Sequence, residues 1–238
     1  MKIKTVATWL AGIIMSFALL FIVFISSFQV AMYGDMDWYR RTYEKFDVQA
    51  NLDMTMDDLM FVTEEMMEYL INNREELVVY TTIGGEYKDF FGPQERFHMW
   101  EVQVLFLAGL ELRYIAIIIF LVSLIALLLL KSELKKVIPR SFWIALGSTV
   151  AISVTFGLIF YFNFSRAFVI FHEIFFDNDY WIFNPRYSYM IRMLPEGLFY
   201  DMIMRVLGIF GICVLILLGA SIILNRIWNK KEQGKKKE

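Results

Sequence analysis

The sequence predicts an all-α polytopic membrane protein, with four transmembrane helices and a small extracytoplasmic cap that is mostly helical with some extended structure. Two observations lead there. Hydrophobic residues fill 58% of the 238 positions and aromatics 17%, more than an ordinary soluble domain carries. Four apolar runs of about 19–25 residues are also nearly free of charge, and each is long enough to cross a hydrocarbon core of roughly 30 Å at 1.5 Å per residue. With no water in that core, each backbone must satisfy its own hydrogen bonds as helix.

The elements follow in order. Residues 1–30 hold the first span, "VATWLAGIIMSFALLFIVFISSFQV". Lys2 and Lys4 precede it as they would in a signal peptide. The apolar stretch is longer than the usual core of such a peptide, however, and no small-x-small cleavage site follows, so it reads as a retained anchor. Residues 31–111 form the cap and lead into the second span at 112–130. A loop at 131–141 precedes the third span, 142–162. An aromatic loop at 163–202 leads to the fourth span, 203–224, and a basic tail at 225–238 ends the chain.

Charge sets the expected orientation. The N-terminus, the 131–141 loop and the tail hold 12 of the 23 basic residues but only three of the 25 acids. By the positive-inside rule these segments face the cytoplasm, and the cap and the 163–202 loop face outward. The expected location is therefore the plasma membrane, with both termini cytoplasmic and any active site on the extracytoplasmic face. The lysine-rich tail reads as a topology determinant near anionic lipids, not as a nucleic-acid binder.

Within the cap, "TMDDLMFVTEEMMEYLINN" opens with a Thr55…Asp58 capping pattern. Leu59, Val62, Met66 and Leu70 then fall on one helical face, supported by Met60 and Met67. "ELVVYTTIGGEY" suits extended structure broken at Gly84-Gly85, and Pro93 is placed to open a helix. That helix, "PQERFHMWEVQVLFLAGL", runs directly into the second span.

Two histidines are all the chain has. His98 precedes the second span, and His172 follows the third inside "FHEIFFDNDYW". Phe164, Phe168, Phe171 and Phe175 make a stripe at helical spacing, and Phe168 and Phe176 flank His172 at i−4 and i+4. Imidazole exchanges protons near neutrality, so a pair can divide the roles of base and acid. Trp and Tyr also favour the headgroup zone, which alone accounts for Tyr180 and Trp181; equally, a wall of rings can confine acyl chains and exclude water.

No GxSxG elbow is present, and the single cysteine, Cys213, lies within an apolar run, so no intrachain disulfide can form. The absence of a protein nucleophile points to chemistry in which the substrate supplies its own. This residue inventory argues against a zinc site of the usual N/S type. Asp177, Asn178, Asp179 and Glu196 read as turn and capping chemistry. No metal or cofactor is expected.

The segments "ERFHMWEVQVLF" and "FHEIFFDNDYWIFNPRYSYMIRMLPEGLF" resemble those of the bacterial lipoprotein intramolecular transacylases (Lit). Span count, cap position and motif spacing agree along the whole layout. The family's HM and acidic-Val element is matched by His98, Met99, Glu101 and Val102. Its FH…FF…W…P…PE..F run is matched by Phe171, His172, Phe175, Phe176, Trp181, Pro185, Pro195, Glu196 and Phe199. Glu101 stands where Asp is usual, and Ser188 lies near a usual acidic position; neither departure is expected to touch the histidines.

The resemblance implies a substrate, a diacylglyceryl-modified lipoprotein held among membrane lipids, and a reaction. The free α-amine of the substrate's N-terminal cysteine attacks the sn-2 ester of its own glyceryl group, giving an N-acylated lyso-form lipoprotein through a ring of about eight members. Such rings close slowly unless the rotors are held, and a near-attack geometry can remove several kcal/mol of barrier. His172 is assigned as the base that takes the amine proton. His98 is its partner, protonating the leaving oxygen or stabilising the oxyanion, and the reverse order is open. Phe168, Phe171, Phe175, Phe176, Tyr180, Trp181, Met99 and Glu196 are the expected substrate-binding residues. The alternative is a non-catalytic four-span protein that binds a peptide or lipoprotein partner through its cap. A second enzymatic rival is intermolecular acylation from a phospholipid donor. The sequence carries no signal for an oligomeric state.

Overall fold

The computed structural model describes residues 2–235. Eleven elements follow one another along them: α1 (Lys2–Tyr33), α2 (Asp37–Lys45), α3 (Val48–Leu52), α4 (Met56–Leu70), β1 (Tyr80–Ile83), β2 (Glu86–Asp89), α5 (Pro93–Leu129), α6 (Leu134–Phe162), α7 (Phe164–Phe175), α8 (Tyr189–Met193) and α9 (Glu196–Lys235). Two compact units result. One comprises Met1–Phe28, Glu111–Leu158 and Val206–Glu238, and the other Gln29–Leu110 and Ile159–Arg205.

Four helices, α1, α5, α6 and α9, are long and apolar enough to span a membrane. Most of their surface is apolar and uncovered: Ile118, Leu128, Ile212 and Leu215 are each more than half exposed. Such a surface is at home in lipid and would be a liability in water. The protein is a multi-pass membrane protein.

The spans meet through small buried clusters. Leu20, Phe142, Ala145, Leu146, Phe210 and Val214 form one, to which Phe24 adds an edge-on ring contact with Phe210 at 5.5 Å. Met15, Leu127 and Val137 form another. Between them α1 and α6 come close at Gly12, where an added Cβ would sit 2.6 Å from the Ser141 hydroxyl and 2.7 Å from Val137. Lipid offers no hydrophobic drive for helices to pair, so close backbone approach at a small residue supplies van der Waals contact instead.

The second unit packs around α4. Thr55 caps this helix by accepting the backbone N–H of Asp58 at 3.1 Å, and Leu59, Val62, Met66 and Leu70 are buried with Met60 and Met67. The extended stretch is an antiparallel hairpin with Ile83 opposite Glu86. Gly84 and Gly85 make its two-residue turn with φ of 59° and 77°, the positive pair that a twist-matched hairpin turn requires. Lys45 of α2 pairs with Asp201 of α9 at 2.6 Å.

Helix extends further than the apolar runs suggest. α6 begins at Leu134, inside the expected 131–141 loop, and takes Pro139 into its second turn. The 163–202 segment contains α7 and α8 because its aromatic stripe repeats with helical period and Asn163 caps the start by accepting the Arg166 N–H. α9 continues through the basic tail to Lys235; Lys236, Lys237 and Glu238 of that tail lie outside the described residues.

Candidate active site

α5 carries polar side chains through its first turns, ahead of its apolar stretch. Its 37 residues make a rod about 56 Å long, whereas only about 20 residues fit within a hydrocarbon core. The uncharged stretch begins after Arg113, and His98 lies fifteen residues before it, about 22 Å along the axis at 1.5 Å per residue. His98 thus stands outside the spanning part of its helix. Gln94, Phe97, His98 and Glu101 share one face through i, i+3, i+4 and i+7 spacing.

That face holds the loop after α7 at three points. The Gln94 amide donates to the carbonyls of Tyr180 and Ile182 at 3.0 and 3.1 Å. Phe97 packs on Tyr180 with ring centres 4.8 Å apart. Glu101 accepts from the Asn178 amide at 2.7 Å. Further along the loop, the buried Glu95 carboxylate accepts from Gly92 N–H at 2.6 Å, the Ser188 hydroxyl at 2.5 Å and Met190 N–H at 3.0 Å. A carboxylate so supplied with donors is a staple between the start of α5 and the start of α8.

The two imidazoles are thereby brought together, stacked with ring centres 5.8 Å apart and planes inclined by 29°. Both are buried, with relative exposures of 6% for His98 and 7% for His172. Phe176 packs against both, at 4.9 Å from His98 and 5.4 Å from His172. Phe168 at 4.2 Å, Trp181 at 4.9 Å and Phe171 at 5.5 Å complete the wall around His172.

Burial pushes both histidines below the usual imidazole range. His98 is driven down to about 4, by desolvation first and by the neighbouring His172 second. Desolvation lowers His172 too, opposed by the hydrogen bond from its ring to the Phe168 carbonyl. Neutral rings are therefore the resting state at neutral pH. The His172 bond is informative: Nδ1 lies 2.7 Å from the Phe168 oxygen, and a carbonyl only accepts. In the neutral ring Nδ1 then carries the hydrogen and Nε2 the lone pair, as a proton acceptor needs.

The other expected residues divide. Phe175 packs against Phe171 with ring centres 4.7 Å apart and tilted planes, and is half exposed, so it extends the wall one ring further out. Tyr180 is held by Phe97, and Met99 is buried one position round the helix from His98. Glu196 lies apart from the pair. It accepts from the Ser165 hydroxyl at 2.6 Å and lines a cavity of about 450 Å³ with Lys45, Phe46, Phe164 and Tyr200. Phe164 and Phe168, 6.2 Å apart, connect that cavity to His172 along α7. Glu101, Asn178 and Phe183 were not among the expected site residues. The Glu101 carboxylate is 3.9 Å from His98 Nδ1, so this position does face a histidine, contrary to the sequence reading; the i, i+3 spacing was the signal. Phe183 meets His98 edge-on at 5.5 Å.

Comparison with known proteins identifies the family and the fold. The family model described as lipoprotein intramolecular transacylase Lit matches residues 13–199. No curated protein matches the chain significantly. The in meso structure of the membrane-integral lipoprotein intramolecular transacylase Lit from Bacillus cereus is similar with a TM-score of 0.71 at 23% identity, covering 97% of this chain and 98% of that one. Two variants of that protein, with a histidine replaced by alanine or by arginine, give 0.71 and 0.72 at 22% and 23% identity. They cover 100% and 98% of this chain and 99% and 97% of their own. At these identities the structures speak to the fold, while the family match takes in both histidines and the rings around them. This protein belongs to the lipoprotein intramolecular transacylase Lit family of membrane acyltransferases.

Proposed function

We propose that this protein moves the sn-2 acyl chain of a diacylglyceryl lipoprotein to the α-amine of the lipoprotein's own N-terminal cysteine. The observation that carries the reading is the stacked, buried His98–His172 pair inside a wall of rings. Its Nδ1–H bond to Phe168 favours His172 as the base. The substrate amine arrives protonated and gives one proton to His172 Nε2. Its nitrogen then bonds the ester carbonyl carbon, and the bond from that carbon to the glyceryl oxygen breaks. His98 takes the second amine proton and passes it to the leaving oxygen, and His172 releases the first to water, so that both rings end neutral. Desolvation disfavours the His98 imidazolium, so a proton taken there is readily given up.

Phe168, Phe171, Phe176 and Trp181 hold the amine and ester in near-attack geometry, excluding water that would otherwise hydrolyse the ester. Met99, Phe175, Tyr180 and Glu196 complete the substrate-binding set, and the charge bias of the loops supports a site on the extracytoplasmic face. The test is mass spectrometry of a lipoprotein N-terminus from membranes containing the wild type, His98→Ala or His172→Ala. Each variant is expected to leave the substrate unconverted while accumulating as folded protein. Full conversion by either would remove that histidine from the reaction. Label transferred from an added phospholipid would instead establish an intermolecular acylation.

A further inference from the structure

Two buried polar atoms beside the pair lack a hydrogen-bond partner among the described residues: His98 Nδ1 and Glu101 Oε2. They are 3.9 Å apart, about 1 Å beyond an N–H···O bond. Leaving a buried donor and acceptor unpaired is unfavourable, so two orphans facing one another mark a contact that small side-chain rotations would close. The other carboxylate oxygen, Oε1, is already fixed by the Asn178 amide at 2.7 Å. Asn178 is fixed in turn, because its Oδ1 accepts the Tyr180 N–H at 2.9 Å.

We infer that Glu101, oriented by Asn178, is a positioning residue that holds the hydrogen of His98 on Nδ1 and leaves Nε2 as the lone-pair nitrogen. The assignment rests on the proposed reaction, in which His98 carries a proton from amine to leaving oxygen. A carboxylate behind the ring fixes its tautomer and stabilises the imidazolium during that transfer. His172 uses a backbone carbonyl for the first of these tasks. The two rings therefore present the same nitrogen, but only His98 has an anion behind it.

The chain of donors makes one substitution decisive. In Glu101→Gln, the Asn178 amide still donates, because turning it over would place its NH₂ against the Tyr180 N–H. Gln must then point its oxygen at Asn178 and its own NH₂ at His98. That group only donates, so it drives the His98 hydrogen from Nδ1 to Nε2. Glu101→Asp keeps an acceptor and restores the original tautomer.

Histidine-selective ¹⁵N NMR of the full-length protein reads this directly, because two signals pairs suffice for two histidines. At neutral pH the wild type and Glu101→Asp should show His98 protonated on Nδ1, and Glu101→Gln on Nε2, with the His172 signals unchanged as a control for folding. Turnover of a synthetic dipalmitoylglyceryl-cysteinyl peptide should fall at least ~100-fold in kcat for Glu101→Gln with KM little changed, as a wrong tautomer predicts, and recover to within ~10-fold for Glu101→Asp. An unchanged His98 tautomer in Glu101→Gln, or Glu101→Asp performing no better than Glu101→Gln, overturns the assignment. Full turnover by His98→Ala would overturn the reaction scheme instead, and the spectra, recorded without substrate, stand independently of it.

Discussion

Phe176 packs against both imidazoles, so its removal tests the idea that desolvation keeps the pair neutral. His98 stands at about 4 against an ordinary 6.5. That difference of about 2.5 units corresponds to about 3 kcal/mol at 1.36 kcal/mol per unit. Phe176→Ala admits water to one side of the ring and should raise the His98 midpoint by about one to two units, since desolvation is the larger cause. Phe176→Leu fills much of the same space with apolar atoms and should move it by less than about half a unit. The assay is a pH titration of histidine-labelled protein in detergent, with His98→Gln assigning the signals. Stability follows with a definite sign. A folded pKa below the unfolded one means that the neutral ring contributes fully above pH 6.5 and that this contribution is lost as pH falls through about 4. Phe176→Ala should therefore flatten the acid side of the stability curve. A His98 midpoint near 4 in Phe176→Ala, with water shown to reach the ring, would refute desolvation as the cause.

Two further outcomes concern the scaffold. Glu95→Ala strips the acceptor from Gly92 N–H, Met190 N–H and the Ser188 hydroxyl and should cost about 3 kcal/mol or more, read as a lowered thermal midpoint together with lost turnover; a midpoint equal to wild type would show the staple to be idle. Gly12→Ala places a methyl where Ser141 and Val137 already stand and should lower stability in detergent by about 1–3 kcal/mol, with an unchanged melting curve counting against a tight α1–α6 contact.

Much of this was legible in the sequence because periodicity and length are local signals. The spans, the Thr55 cap, the Gly84-Gly85 turn and the ring stripe on α7 all follow from spacing alone. The histidine pair was legible for a different reason: two rare titratable rings abutted consecutive spans. What escaped lies where no period exists. Asn178 and Phe183 reach the site from an irregular loop positioned by Gln94, Phe97 and Glu101 of another element, and one sequence does not encode such pairing visibly. Glu196 reads as part of the histidine motif, yet its carboxylate faces Ser165 and a cavity one aromatic step away. Gly12 is likewise silent until α6 is seen against it.

The bond from His172 to Phe168 joins a side chain to the backbone of its own helix, four residues earlier. Any residue can stand at position 168 and still offer that oxygen. The hydrogen on the imidazole is thus anchored by main chain, while the lining around it is made of side chains. The lining can therefore be remodelled without disturbing which nitrogen of the imidazole carries the hydrogen.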